Sequence, residues 1–281
     1  MNYIQRAKQF KTKKRLGQNF LVDEKIIQKI IDEAALNSDD TVIEIGAGAG
    51  FVTEKLAEIA KKVIAIELDE NAIEVLQALP CKNIELIHQD ILKTDISKLI
   101  ESPVKIIANI PYYITSPIIV HLLGEIDDFN NKNRQCIKEI ILMVQYEVAR
   151  RIIADEKSPS KDYGLLSILV NFWAETELIC KVPSKSFYPA PKVDSALIKF
   201  KIRQKPIIDL KNPKLFRKII KAAFGTRRKT LKNALLQGGF SGEVLSKAFE
   251  ESGIIPDRRG ETLSIQEYKI LTDCINRLLN R

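Results

Sequence analysis

The chain has 281 residues, 45% of them hydrophobic and 28% charged, which suits a soluble protein with one large domain and a smaller one beside it. Cys81, Cys136, Cys180 and Cys274 lie far apart with no Cys-x-x-Cys pair. The spacing speaks against a zinc site or a disulfide framework and for reduced thiols in a cytosolic protein. The net charge of +8 is unevenly placed: residues 1–15 carry +6, residues 199–233 carry +12, and the remainder sums to −10. An acidic body with two basic segments suits a nucleic-acid binder, because Lys and Arg displace counterions from phosphates; a solvated basic surface without a partner fits the charge equally well.

The basic N-terminus runs into Gly17-Gln18-Asn19 and not into an apolar segment, so no secretory signal is expected. Asp23 is the expected N-cap of the first helix, with Ile26, Ile27, Ile30, Ile31 and Ala34 at helical spacing behind it. Short β-branched runs then alternate with helical stretches. Strands are expected at Thr41–Ile45, Lys62–Ile66, Ile84–Ile87, Val104–Ala108 and Ile137–Val144, with helices at Val52–Ala60, Asn71–Leu79 and Ser116–Leu123. The alternation predicts an α/β fold, a mostly parallel sheet covered by helices. Two further strands, Val170–Ile179 and Ser195–Ile202, have no helix between them and predict an antiparallel hairpin at the sheet edge. Past Pro206 the pattern turns helical, at Leu215–Phe224, Lys229–Leu236, Gly242–Ser252 and Ile265–Leu279. The expected division is therefore 1–205 and 206–281. The run Ile106–Gly124 lacks charged residues, but Asn109, Pro111, Pro117 and His121 disqualify it as a membrane span.

The first strand ends in Glu44-Ile45-Gly46-Ala47-Gly48-Ala49-Gly50 and leads into a helix. Glycines allow a sharp turn and close approach of a ligand to the backbone. A dinucleotide fingerprint fails in both registers, since its third glycine would fall at Phe51 or Thr53. Gly46-x-Gly48-x-Gly50 after an acid instead resembles the first motif of Rossmann-like methyltransferases. The second strand ends at Glu67, placed to accept both hydroxyls of a ribose, and the third ends at Asp90, placed to accept from an adenine amino group. Together these point to S-adenosylmethionine as cofactor.

The fourth strand ends in Asn109-Ile110-Pro111-Tyr112, which resembles the Asn-x-Pro-Tyr motif of amino methyltransferases acting on bases. The exocyclic amine of adenine is a poor nucleophile because its lone pair is delocalised. The Asn109 oxygen and the Ile110 carbonyl can accept its two N–H bonds and draw the nitrogen toward tetrahedral geometry. Pro111 fixes the turn and donates no competing N–H. Tyr112 offers a face for a flipped base, a stack worth roughly 1–3 kcal/mol. No general base is required, and neither of the two histidines, His88 and His121, is given a role.

Five segments make a more specific resemblance: K-K-R-L-G-Q-N-F-L at 13–21, N-I-P-Y-Y-I-T-S-P at 109–117, F-Y-P-A-P-K-V-D-S-A at 187–196, F-G-T-R-R-K-T-L-K-N-A-L at 224–235 and R-R-G-E-T-L-S at 258–264. They span nearly the whole chain and are similar to the ribosomal RNA adenine dimethylases, with the last two favouring the family's bacterial small-subunit branch. The resemblance implies a Rossmann-like methyltransferase domain followed by a helical rRNA-binding domain. It implies four methyl transfers to two adjacent adenines in the 3′-terminal hairpin loop of 16S rRNA. It adds Asn19 and Leu21 to Gly46, Gly48, Gly50, Glu67, Asp90 and Asn109 as cofactor residues, and gives Phe187 the face of the target adenine opposite Tyr112. The basic segments then become RNA contacts, at Lys13, Lys14 and Arg15 and at Arg227, Arg228 and Lys229. A cytoplasmic monomer without metal, acting on the immature small ribosomal subunit, is the expectation. A large-subunit dimethylase conferring antibiotic resistance and a non-catalytic assembly checkpoint are the competing readings.

Overall fold

A computed structural model describes residues 3–10, 13 and 17–280; Lys14 and Arg15 fall outside them. The chain divides into two units, one of residues 1–124, 130–149 and 175–202, the other of 125–129, 150–174 and 203–281.

The first unit begins with α1 (Tyr3–Gln9), β1 (Phe20–Leu21) and α2 (Glu24–Ala34). Asp23 caps α2 by accepting from Lys25 N, and Ile27, Ile30, Ile31 and Ala34 form its buried stripe. Then follow β2 (Thr41–Ile45), α3 (Phe51–Ala57), β3 (Lys62–Glu67), α4 (Glu70–Gln77), β4 (Ile84–His88), β5 (Val104–Asn109), α5 (Thr115–Leu123), α6 (Lys132–Gln135) and β6 (Ile137–Gln145). The helix α7 (Tyr146–Ile153) continues from β6, and α8 (Leu165–Trp173) runs into β7 (Ala174–Val182), β8 (Phe187–Tyr188) and β9 (Ser195–Ile202).

Seven strands form one sheet in the order β4-β3-β2-β5-β6-β9-β7. The first five are parallel, and β9 returns antiparallel to β6. This is the expected mostly parallel sheet, with β9 and β7 at one edge. Helices cover both faces, so the central strands are apolar on both sides: Val42, Ile43, Val63, Ile64 and Ile106 are all buried. The chain leaves β2 toward β3 on one side and later adds β5 on the other. The strand order therefore reverses beside β2, and the crevice beyond the carboxyl ends of β2, β3 and β5 is where such a sheet offers a ligand site. A separate two-stranded ladder pairs β1 with β8, setting Leu21 opposite Phe187.

In the second unit the helices are α8 and α9 (Pro213–Gly225), α10 (Leu231–Gln237), α11 (Gly242–Ser252) and α12 (Ile265–Leu279). The α9 face Phe216, Ile219, Ile220, Ala223 and Phe224 is buried, and Ser264 with Glu267 forms a capping box at α12. Arg217 is held by Glu125 and Asp127.

Two expectations are corrected. Residues 170–173 are the end of α8 and not the start of a strand. Ile168, Val170, Phe172 and Trp173 are buried on every side of the helix, so the run shows no amphipathic period, and short apolar runs are ambiguous between helix and strand. The second unit also begins before residue 206. It takes in 125–129 and 150–174 as well, through hydrogen bonds such as Trp173 Nε1 to Glu125 O, 3.2 Å, and Ile207 N to Phe172 O, 3.1 Å.

Candidate active site

The glycine turn after β2 adopts backbone that only glycine takes without strain: φ is +74° at Gly46, +53° at Gly48 and +76° at Gly50. A Cβ on Gly46 would stand 3.3 Å from Asn109 O, and one on Gly48 3.0 Å from the Phe20 ring. Gly46 N donates to Ile66 O and Gly50 N to Ala47 O, each 2.9 Å, so the turn is fixed against β3 and then enters α3 with Gly50 as N-cap.

Glu67 ends β3 and is 9% exposed. Its Oε2 accepts from Gly48 N at 2.8 Å, and its Oε1 from Leu68 N and Asp69 N at 2.7 and 2.8 Å. The carboxylate is thus held in a fixed pose by three backbone donors and ties the glycine turn to the end of β3. Asp90 follows β4 and accepts from Leu92 N at 3.0 Å.

Past β5, the Asn109 Nδ2 lies 3.5 Å from Asn19 O, which leaves Oδ1 to accept from a substrate amine. Ile110 is buried, and Pro111 O accepts from Ile114 N to close the next turn. The Tyr112 hydroxyl is 2.7 Å from the Ser195 Oγ at the start of β9, and Ser195 is buried. Burial raises the Tyr112 phenol above its ordinary pKa, against the opposing effect of the Ser195 bond.

These elements surround a cavity of about 130 Å³ at the carboxyl ends of β2, β3 and β5. Asn19, Leu21, Gly46, Gly48, Glu67 and Asp90 line it, as do all four residues from Asn109 to Tyr112. Gly50 does not reach it: its α-carbon faces Leu76 and Leu79, and its part is to start α3. Phe187 does not reach it either. It is 3% exposed, opposite Leu21 in the β1–β8 ladder and within the apolar cluster of Phe20, Leu21 and Val22.

The basic residues divide. Lys13 pairs with the buried Asp69, and Arg6 pairs with Glu54 at 2.8 Å, so these two cations of the N-terminal segment serve the first unit itself. Arg227 donates to Lys161 O and Tyr163 O at 3.1 and 3.2 Å and braces the second unit. Arg228 and Lys229 are exposed.

Glu44 completes the site, and sequence reasoning gave it no role. It is buried in β2, lines the cavity, and its Oε2 has no hydrogen-bond partner among the described residues. Burial, with the negative charge of Glu67 adding to it, pushes its carboxyl up to about 8. An acid inside the run T-V-I-E-I was its signal, because a strand buried on both faces has no place for a charge without purpose. Among the described residues, no Lys, Arg or His lines the cavity.

The site fits S-adenosylmethionine on two observations of this kind. The turn at Gly46 and Gly48 leaves room that a Cβ would fill, and the orphaned Glu44 oxygen suits a cationic ligand. No group of three or more His, Cys, Asp or Glu able to hold a metal occurs among the described residues, and none of their helices is long and apolar enough to cross a membrane.

Comparison with known proteins agrees. The family model "Ribosomal RNA adenine dimethylase" matches residues 9–276. "Ribosomal RNA small subunit methyltransferase A" of Clostridium botulinum (strain ATCC 19397 / Type A) is 46% identical over 275 residues, covering 96% of each chain. The protein of the same name from Clostridium perfringens (strain SM101 / Type A) is 45% identical, covering 96% of this chain and 93% of its own. Among solved structures, a dimethyladenosine transferase from Plasmodium falciparum superposes with a TM-score of 0.74 at 27% identity, over 92% of this chain and 98% of that one. The 23S rRNA methyltransferase ErmE superposes with a TM-score of 0.66 at 26% identity, over 92% and 100%.

Proposed function

Since this chain belongs to the ribosomal RNA adenine dimethylase family, we propose that its substrate is the pair of adjacent adenines in the 3′-terminal hairpin loop of 16S rRNA, methylated on the immature small subunit during ribosome biogenesis. The chain is an S-adenosylmethionine-dependent methyltransferase acting on adenine N6. One observation carries the reading at the level of chemistry: Asn109-Ile110-Pro111-Tyr112 opens into the same cavity as Gly46, Gly48, Glu67 and Asp90. The base site and the cofactor site are one space.

Bound there, S-adenosylmethionine supplies a methyl group on a sulfonium centre. Gly46, Gly48, Glu67, Asp90, Asn19 and Leu21 would hold it, with Glu67 on the ribose and Asp90 on the adenine. Glu44 supplies the negative charge that a cationic ligand draws out. The chain's own contribution to the transfer is placement. Asn109 Oδ1 and the Ile110 carbonyl accept from the target amine and direct its lone pair, while Tyr112 holds the flipped base by its ring. Correct positioning of this kind can lower a barrier by roughly 7–11 kcal/mol. The methylated nitrogen is strongly acidic and loses its proton to water. Phe187 lies opposite Leu21 in the β1–β8 ladder, behind the cavity wall.

The small-subunit assignment is supported by 46% identity to a small-subunit methyltransferase against 26% to a 23S rRNA methyltransferase. Arg228 and Lys229, exposed in the second unit ahead of α10, meet phosphates and position the RNA, while the cavity reads the flipped base. The enzyme acts in the cytoplasm as a monomer.

The test is methyl transfer from labelled S-adenosylmethionine to unmethylated small ribosomal subunits, followed by nucleoside analysis. N6,N6-dimethyladenosine at two adjacent adenines, lost in Asn109→Ala, is the expected result. Transfer to large-subunit rRNA alone would move the substrate to the other subunit. Cofactor binding without transfer to either would leave an assembly checkpoint as the function.

A further inference from the structure

One wall of the cavity comes from β1 and the arm leading into it, since Gly17 to Leu21 all line it, and a single carboxylate ties this arm down. Asp69 stands two residues past Glu67, and its side chain is completely buried. Its Oδ1 accepts from Lys13 Nζ and from Asn71 N, the latter at 3.2 Å, while Oδ2 accepts from Gln18 Nε2 at 2.6 Å. Gln18 Oε1 accepts in turn from Lys13 N at 2.7 Å. Lysine, glutamine and aspartate therefore form a closed ring across more than fifty residues of sequence.

We propose that Asp69 is a positioning residue for the cofactor: through Lys13 and Gln18 it clasps the arm against the glycine turn, and this clasp sets how long S-adenosylmethionine stays bound. The inference rests on that cofactor being the occupant of the cavity. Asp69 is not part of the cavity wall, so its influence passes through the arm. Gln18 is followed at once by Asn19, Phe20 and Leu21, and the Phe20 ring lies over Gly48. The same short segment fixes both sides of the site, because Leu68 N and Asp69 N hold Glu67 while the Asp69 carboxylate holds the arm. A carboxylate buried this deeply is tolerated only when paired and fully hydrogen-bonded. Burial alone would raise the Asp69 pKa; the bonds from Lys13, Gln18 and Asn71 N outweigh it and hold the carboxyl below the usual range. The Lys13 side chain keeps 31% of its surface exposed, so the ring can be broken from outside without opening the core. A clasp that opens is what repeated transfer needs, since every methyl group delivered leaves a spent cofactor to be exchanged.

The experiment compares full-length wild type, Lys13→Met, Asp69→Asn and the double variant. Asn retains the cap on α4, and Lys13 lies outside the apolar core, so folding is preserved in at least one single variant. Dissociation of labelled S-adenosylmethionine is followed by dilution into unlabelled cofactor, and kcat is measured at saturating cofactor. Each single variant is expected to release the cofactor about ten- to a hundredfold faster, the loss of a hydrogen bond to a charged group, and to raise KM for the cofactor with little change in kcat. The double variant is expected to be no faster than the worse single one, as for two residues acting through one interaction. Unchanged release in both single variants, or losses that add, would overturn the clasp alone. Wild-type protein that retains no labelled cofactor would overturn the cofactor reading itself.

Discussion

The Glu44 carboxyl gives a pH dependence whose sign and size follow from the structure. In the folded chain its pKa is pushed from 4.5 up to about 8. Below pH 4.5 the group is protonated in both folded and unfolded chains and makes no pH-dependent contribution. Between pH 4.5 and 8 the unfolded chain ionises it and the folded chain does not, so the unfolded state binds fewer protons and stability falls as pH rises. The fall is about 1.4 kcal/mol per pH unit, or about 5 kcal/mol across the window. Above pH 8 it levels off. Glu44→Gln has the same shape and does not titrate, so the difference in stability between variant and wild type is expected to grow by that slope from pH 5 to pH 8. The buried amide costs about 1–3 kcal/mol through its unpaired donors, an offset that does not vary with pH, so the slope is the diagnostic. Urea unfolding at several pH values, read by hydrogen exchange in β2 without cofactor, measures it. Parallel pH profiles for the two proteins would refute the reasoning. A cationic ligand reverses the preference of Glu44 for its proton, so at pH 7 cofactor binding is expected to release close to one proton in wild type and none in the variant. Calorimetry in buffers of different ionisation enthalpy reads that number.

Gly48→Ala places a Cβ at φ +53° and 3.0 Å from Phe20; the backbone term alone costs roughly 1–2 kcal/mol, and the expected outcome is weaker S-adenosylmethionine binding by calorimetry with the fold retained. Ser195→Ala removes the partner of the Tyr112 hydroxyl, and loss of one such bond, about 1 kcal/mol, is expected to lower kcat several-fold without altering cofactor affinity; equal kcat would show that the bond does not hold the ring for the base. Arg228→Glu is expected to weaken binding to small subunits and flatten its salt dependence while cofactor affinity stays as it was, and unaltered subunit affinity would remove Arg228 from the RNA surface.

Where the sequence was legible, each clue was local. Thr41–Ile45, Ser195–Ile202, Gly242–Ser252 and Ile265–Leu279 form their elements within the expected limits, because caps and periodicity act over a few residues. Gly46, Gly48, Glu67, Asp90 and Asn109 to Tyr112 were readable as a site because a parallel sheet brings the carboxyl ends of neighbouring strands together, so motifs far apart in sequence needed no further information to be placed. The roles of Asp69 and Ser195 were not readable. Asp69 finds Lys13 fifty-six residues upstream, and Ser195 meets Tyr112 across eighty-three; nothing near either residue distinguishes it from an ordinary helix cap or strand start. The same cause hid the partners of Lys13 and Arg227. A lysine beside other lysines gives no sign of the buried acid that folding brings to it, and Arg227 donates to two carbonyls of the segment ahead of α8. The last stretch of the second unit begins at residue 203, close to Pro206, but 150–174 joins it by aromatic contacts, such as Phe172 with Phe216 and Tyr163 with Phe224, that no linear pattern announces.

The separation of charge explains how one enzyme handles a cation and a polyanion. The cavity wall carries Glu44, Glu67 and Asp90 and no base among its described residues, so it favours a sulfonium and disfavours phosphate. Thirteen Lys and Arg against one Asp occupy residues 199–233, most of them in the second unit; on the proposed function, RNA phosphates would release counterions there on binding. On that proposal the basic residues attract an RNA strand, while the acids of the cavity wall disfavour its phosphates. The part of a nucleotide suited to such a cavity is the one without charge, a base swung out of its loop, for which Asn109 and Tyr112 are the proposed contacts. The spent cofactor has lost its sulfonium charge, and with it part of its attraction for the same acids. The wall is therefore expected to hold the product less tightly than the methyl donor, and competition between the two for the cavity measures the difference.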